Sequence, residues 1–254
     1  MMKATVANIA GLLNATLRVK KIRDASVNGL QVRSRTRREI RRTGFAVDAC
    51  FSTLELASRL DIELLVVHHG VKWRPQKDRE LARRRTAYLK KHNIALYAAH
   101  LPLDLHGEYG NNIQLCRLLG VRAPRRFGRY HGIKIGYAGT FGAPVHLSRL
   151  AERLRGRLGS PCRVLRFGKG AVRSIGIVSG GGGGMVKDAW EAKLDCFLVG
   201  EIDLATYIAA REYGMNVLVA GHYATETAGV RALMPLVRNA CGVETVFLDD
   251  PKDQ

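Results

Sequence analysis

Apolar positions along the chain recur with two periods, and the alternation between them is the first structural signal. Val6, Ile9, Leu12, Leu13 and Leu17 return at helical spacing, broken by Asn8 and Asn14, which predicts an amphipathic first helix. SVNGLQV (26–32) carries an Asn-Gly turn signal into a short strand, and FAVDAC (45–50) predicts another. The helix STLELASRL follows, with Ser52 or Thr53 expected as its N-cap. ELLVV is short, aliphatic and partly β-branched, as buried strands are. A basic helix (77–91), the strand IALYAAH (94–100) and the helix NNIQLCRLLG, closed by Gly120, complete the first half.

The stretch 121–132 shifts to Arg, Pro, Gly and Tyr and predicts a lobe boundary, giving an N-terminal α/β lobe over 1–125 and a C-terminal one over 126–254. The second half repeats the alternation: strand IKIGYAGTF, helix PVHLSRLAERLRGRL with Pro144 at its start, strand RSIGIVS, then a glycine turn into a helix. LDCFLVGE, a helix near 203–213, NVLVAGH, a helix near 225–239 and ETVFLDD follow. Strands alternating with helices predict an α/β fold with mainly parallel sheets.

Composition narrows the class. No apolar run approaches the roughly 20 residues of a membrane span, so a cytoplasmic protein without a membrane partner is expected. Cys50, Cys116, Cys162, Cys196 and Cys241 are scattered and never form a CxxC pair, which argues against zinc knuckles and a disulfide framework. Forty-one Lys and Arg against 22 Asp and Glu give a net charge of +19. Clusters at 33–42, 82–91 and 122–129 read either as a surface that attracts phosphate, in nucleotides or nucleic acid, or as a compositional habit.

The candidate chemistry lies just past three strand ends. ELLVV is followed by His68 and His69, IALYAA by His100 with Asp104 four residues on, and NVLVAG by His222 with Glu226 four residues on. Consecutive parallel strands bring such ends to one edge of a sheet, where open α/β folds keep ligand sites. If 222–226 is helical, His222 and Glu226 share a face. Each group alone reads as well as a hydrogen-bonded histidine or a helix cap, but three at one topological position point to a site for Zn, Fe, Mn or similar ions. Neighbouring strand side chains diverge, so one ion cannot readily take both His68 and His69. Two ions about 3.5 to 4 Å apart can each take one, and such pairs hold a hydroxide at neutral pH. The glycine run 180–184 lacks the Lys and Ser/Thr of a P-loop; it either lets backbone approach a phosphate or makes a tight strand-to-helix turn.

SVNGLQV, VVHHGVKW, HLPLDLHGEYGNNIQL, the glycine run, LVGEIDLATYIAARE and AGHYATETAGVRAL, in this order, resemble the NGG-interacting-factor-like dinuclear metal centre family, many of whose members are labelled GTP cyclohydrolase type 2 homologues. The likeness runs from about residue 5 to 250 and is nearest to the short bacterial form without an inserted domain. It implies a two-lobed, three-layer-type α/β protomer, a ring-shaped homohexamer (a toroid), and a dinuclear site in the interlobe cleft. It also implies two divalent ions per subunit, one on His68 and Asp104, the other on His69 and His222, with Glu226 bridging and His100 near the metals without being a regular ligand; a hydrolase would use His100 as a proton shuttle. The function expected is metal-dependent hydrolysis, cyclohydrolase-like, at a C–N bond of a nucleotide or related phosphorylated heterocycle. The alternatives are a nucleic-acid-binding hexameric ring, motivated by the +19 charge, and a metal-handling scaffold without turnover.

Overall fold

The computed structural model describes residues 3–35 and 39–251, so that positions 36–38 of the basic stretch 33–42 lie outside the described residues. The chain forms two compact units, Met1–Leu103 with Val230–Pro251, and Asp104–Gly229. It passes from the first to the second within α4 (Leu101–Leu105) and returns within α9 (His222–Cys241).

In the first unit β2 (Arg42–Asp48), β3 (Leu64–His69) and β4 (Ala95–Ala98) run parallel. The C-terminal β11 (Glu244–Phe247) extends them in parallel beside β2, and β1 (Gly29–Val32) closes the other edge antiparallel to β4. β3 is central, and Leu64, Leu65, Val66 and Val67 are all buried, as an unbroken aliphatic run requires. Leu54 of α2 (Phe51–Arg59) and Leu89 of α3 (Arg79–Lys91) join Leu65 and Leu96 in one core. Each such side chain contributes about 1.5 to 3 kcal/mol by leaving water.

Helix α2 begins earlier than its pattern suggested. Cys50 is its cap residue, and the expected caps lie inside the helix. Ser52 and Thr53 hydroxyls instead donate to Asp250 Oδ2 at 2.6 and 2.9 Å, a partner from beyond β11 that no local pattern reveals.

The second unit holds a mixed sheet of β5 (Arg122–Tyr130), β6 (Ile133–His146), β8 (Ala171–Val178), β9 (Cys196–Val199), β10 (Asn216–Val219) and β7 (Arg163–Leu165), in that spatial order. Only β8, β9 and β10 are mutually parallel, so the expectation of mainly parallel sheets fails here. The stretch 121–132, read as a boundary, is largely strand β5 in a hairpin with β6. Pro144 does not start a helix: β6 runs through it, in the interval between Thr140 and Val145 where the ladder to β8 slips, the kind of place where a strand tolerates proline. The helix α6 (Leu147–Leu158) starts after it and buries Leu147, Leu150 and Leu154, against α5 (Asn111–Leu119), which ends at left-handed Gly120 as expected. No described helix is long and apolar enough to cross a membrane.

Candidate metal centre

In the first unit the strand ends bring three imidazoles together. His68 Nδ1 lies 2.9 Å from the Ala99 carbonyl, beyond the end of β4. A carbonyl only accepts, so Nδ1 of His68 carries the hydrogen and Nε2 the lone pair. Across the β2–β3 ladder, where Asp48 faces His69, the Asp48 carboxylate holds His69 Nδ1 at 2.8 Å. His100 Nδ1 is held at 3.0 Å by Asp24, which also accepts from the Ser26 and Leu101 amides and from Asn28. Burial pushes the Asp24 carboxyl up, but His100, Asn28 and Ser26 outweigh it and hold it at about 2. Oxygen on Nδ1 and a lone pair on Nε2 is the arrangement that orients metal-binding histidines.

The expectation that His68 and His69 diverge is corrected by their rings. Their centroids are 4.6 Å apart, and those of His68 and His100 are 5.0 Å apart. His69 is the last residue of β3, and its ring is fixed by Asp48 on the neighbouring strand, so simple alternation no longer decides its direction. One ligand atom from each of His68, His69 and His100 lies within 4.8 Å of the others. Trp73 packs 5.1 Å from the His100 ring, centroid to centroid.

The second unit gathers carboxylates. Asp104 is buried, and its Oδ1 accepts from Asn111 Nδ2 at 2.8 Å and Ser179 Oγ at 3.2 Å. Asn111 Oδ1 in turn accepts from the Gly229 amide in α9. That helix begins at His222, so Glu226 falls one turn on as the spacing required, with its Oε1 3.3 Å from His222 Nε2. Glu201 holds His222 Nδ1 at 3.0 Å. Burial alone would lower the His222 pKa; Glu226 and Glu201 reverse that and raise it to about 9. Carboxylate oxygens of Asp104 and Glu226 lie within 4.8 Å of each other.

The glycine run serves this cluster. Gly180 has φ +60°, and a Cβ there would collide with the Glu226 carboxylate and stand 3.0 Å from His222 Nε2. Its amide donates to Thr225 Oγ1, and Gly200 packs so closely that a Cβ on it would stand 2.6 Å from the Gly180 carbonyl. The run is therefore the close-packed turn of the two readings, and its first glycine is the space the Glu226 carboxylate uses. Asp24, Asp48 and Glu201 escaped the sequence reading; Asp48, ending FAVDAC beside ELLVVHH, had the clearest available signal.

The donors of each cluster, imidazole and carboxylate, are of the types that hold a divalent metal ion. Residues 4–253 match the family described as Duf34/NIF3 (NGG1p interacting factor 3). A protein of Pyrococcus abyssi (strain GE5 / Orsay) named GTP cyclohydrolase 1 type 2 homolog is 42% identical over 245 residues, covering 96% of this chain and 97% of its own. One of the same name from Archaeoglobus fulgidus is 38% identical over 97% of this chain and 98% of its own. The crystal structure of TTHA1606 from Thermus thermophilus has a TM-score of 0.87 at 34% identity, covering 98% of this chain and 100% of that one.

Proposed function

The chain belongs to the Duf34/NIF3 (NGG1p interacting factor 3) family, and we propose that it binds two divalent metal ions and hydrolyses a nucleotide or related phosphorylated heterocycle at a C–N bond. In this reading His68 and Asp104 hold one ion, His69 and His222 the other, and Glu226 bridges both. The observation that carries it is the anchoring of four imidazoles, each with its Nδ1 against a fixed oxygen: Ala99, Asp48, Asp24 and Glu201. When bound, the ions would supply a hydroxide at neutral pH and polarise the electrophile. Asp104 and Glu226 bring the negative charge that two cations require, and Asn111 and Ser179 aim the Asp104 carboxylate. His100, oriented by Asp24, is the group placed to carry a proton.

The relatives' name, GTP cyclohydrolase 1 type 2 homolog, supports a nucleotide as the first substrate class to test. The reading includes a cytoplasmic, ring-shaped homohexamer; Trp190, Leu204 and Ile208 on the second unit are exposed apolar side chains that such an assembly would cover. The test combines metal analysis with a turnover screen over purine and pyrimidine nucleotides loaded with Mn, Fe, Zn or Co. Two ions per chain and turnover abolished by Glu226→Ala are expected. No turnover with any nucleotide, or turnover unchanged by Glu226→Ala, overturns the hydrolase reading.

A second reading, a nucleic-acid-binding ring with structural metals, is favoured by Arg122, Arg125, Arg126 and Arg129, which are exposed along β5 at the edge of its sheet. It requires DNA or RNA affinity that falls steeply with salt, and loses its ground if none is seen near physiological salt.

A further inference from the structure

We propose that Trp73 and the basic groove beside it form a nucleotide subsite in the first unit, the indole taking the heterocycle and Lys72 and Arg79 the phosphates. The inference rests on the reading that the substrate is a phosphorylated heterocycle. It adds the side chains that hold the two ends of that substrate, and it requires neither a particular metal ligation nor turnover.

The loop after β3 has a backbone fixed without help from the indole. Buried Gln31 accepts from the Val71 and Lys72 amides at 2.8 and 2.9 Å and donates to the Lys72 carbonyl at 3.3 Å. The Arg74 amide donates to the Ala25 carbonyl at 2.7 Å, and Ser26 bridges to Trp73. The Trp73 ring stands at the imidazoles, its centroid 5.1 Å from that of His100 and 6.2 Å from that of His69, and it is only partly buried. Its Nε1 donates to the Gly70 carbonyl at 3.0 Å. With its one polar atom satisfied inside the loop, the indole adds a flat π-surface to a polar cluster, and any purine or pyrimidine can stack on such a surface.

The same loop adjoins the groove. The Trp73 amide donates to Gln76 Oε1 at 2.9 Å, and Gln76 and Lys72 line a groove of about 390 Å³ against α3. Positions 79, 82, 83, 86 and 90 follow helical spacing, so one face of α3 supplies the other wall. Ala82 and Thr86 are short and leave room, Arg79, Arg83 and Lys90 are long and cationic, and no residue lining the groove is acidic. Glu80 engages Arg83 through two bonds of 2.8 and 2.7 Å. Helix α3 crosses from β3 to the parallel β4, so it starts at the carboxyl edge of the sheet, where the imidazoles lie, and Arg79 is its first residue. Lys90 lies about 16 Å away along the helix axis, which makes Lys72 and Arg79 the pair at the imidazole end. A guanidinium fork beside an ammonium suits phosphate oxygens.

The test uses the full chain carrying Trp190→Phe, which leaves Trp73 as the only one of the two tryptophans. Titration with GTP is expected to quench its emission to saturation, and titration with inorganic triphosphate, which has no ring to stack, is not. Equilibrium dialysis then reads affinity in further variants. Trp73→Ala should weaken GTP binding by about 5- to 150-fold, the cost of one lost base stack, and leave inorganic triphosphate unmoved, a control for folding. Trp73→Phe should recover most of that loss and Trp73→Leu little of it. Lys72→Gln with Arg79→Gln should weaken GTP and inorganic triphosphate alike, by about 10-fold or more.

GTP bound without quenching, GTP affinity unmoved by Trp73→Ala, or triphosphate affinity unmoved by the Lys72 and Arg79 changes overturns the inference. The hydrolase reading fails separately. GTP that binds with these signatures and is not hydrolysed supports the subsite and counts against that reading, whereas hydrolysis with a KM unchanged in Trp73→Ala overturns the subsite alone. A chain that binds neither GTP nor any other nucleoside triphosphate overturns both.

Discussion

The two units meet the demands of metal binding with opposite means. The first offers neutral imidazoles, pinned by a backbone carbonyl and by carboxylates that stand behind them. The second offers buried carboxylates, Asp104 and Glu226, steadied by neutral donors and by the imidazolium of His222. A neutral ring can wait for metal at small electrostatic cost, whereas a buried carboxylate needs hydrogen-bond donors or a positive partner at all times, as Asp104 has in Asn111 and Ser179 and Glu226 has in His222. His222 is the positive partner of Glu226 in the metal-free protein, and in the proposed two-ion reading a metal on His222 would have to displace its proton. Perturbing the second unit's packing should therefore damage its carboxylate cluster more than perturbing the first unit's anchors damages its imidazole cluster.

The largest effect is expected at Gly180. A Cβ there meets Glu226 and His222, and φ is +60°. Gly180→Ala should cost about 1 to 3 kcal/mol through the forced conformation alone and reduce metal retention on Glu226 beyond detection. Gly184, four residues on, has open space around its Cα, so Gly184→Ala should change stability by less than about 0.5 kcal/mol. Thermal melts and metal analysis of the pair separate a demand for space from a general need for flexible glycine. Equal behaviour of the two variants would refute the role assigned to Gly180.

Next in size come the neutral supports. Asn111 is fully buried and ties Asp104 to the Gly229 amide of α9. Asn111→Ala removes both bonds, leaving a buried carboxylate short of a donor, which costs about 1 to 3 kcal/mol and about 10- to 100-fold in metal affinity. Asp48→Asn in the first unit still offers an oxygen to His69, and should cost no more than about 10-fold in affinity with little change in melting temperature. Denaturation and competition dialysis rank the two, and a larger loss for Asp48→Asn would reverse the comparison.

How much of this was legible beforehand follows from the range of each interaction. Sequential parallel strands and their carboxyl ends were readable because aliphatic runs and chain order are local properties. Hence His68, His69, His100, Asp104, His222 and Glu226 could be picked out. The partners were not readable, since Asp24 lies 76 positions from His100 and Asp250 lies 198 from Ser52, and nothing in their neighbourhoods marks them. Pro144 misled because proline opens helices more often than it occupies slipped strand ladders. The divergence of His68 and His69 misled for a related reason: a period of two holds inside a strand and lapses at its last residue.

A smaller, pH-dependent effect tests the charge side of the comparison. The folded metal-free protein raises the His222 pKa from its ordinary 6.5 to about 9, burial opposing and Glu226 and Glu201 prevailing. A raised imidazole pKa means that the folded state binds the proton more tightly, so the contribution is fully present below about pH 6.5 and fades as pH rises through about 9. Melts of chelator-treated protein should therefore show a decline in stability over that window that Glu226→Gln reduces. Metal-loaded protein should lack the decline, because the proton is already gone. A decline of the same size in Glu226→Gln would show that another group is titrating.

The smallest effect concerns the thiols, which contrast burial with exposure within both units. Burial pushes Cys162 up to about 11, Cys116 up to about 12 and Cys196 higher still, and Cys241 is raised as well. Cys50, at the start of α2 beside Ser52, Thr53 and Asp250, is half-buried where the other four cysteines are buried. The thiolate is the reactive form, so at neutral pH a thiol reagent should label Cys50 alone in the native protein and all five cysteines in denaturant. Because Asp250 reaches Cys50 from beyond β11, Asp250→Asn should speed that labelling by releasing the chain end that covers the thiol. Mass spectrometry after timed labelling decides it. Prompt labelling of Cys116 or Cys196 would mean that the cores holding them open in the native state, and unchanged labelling of Cys50 in Asp250→Asn would mean that the chain end does not guard it.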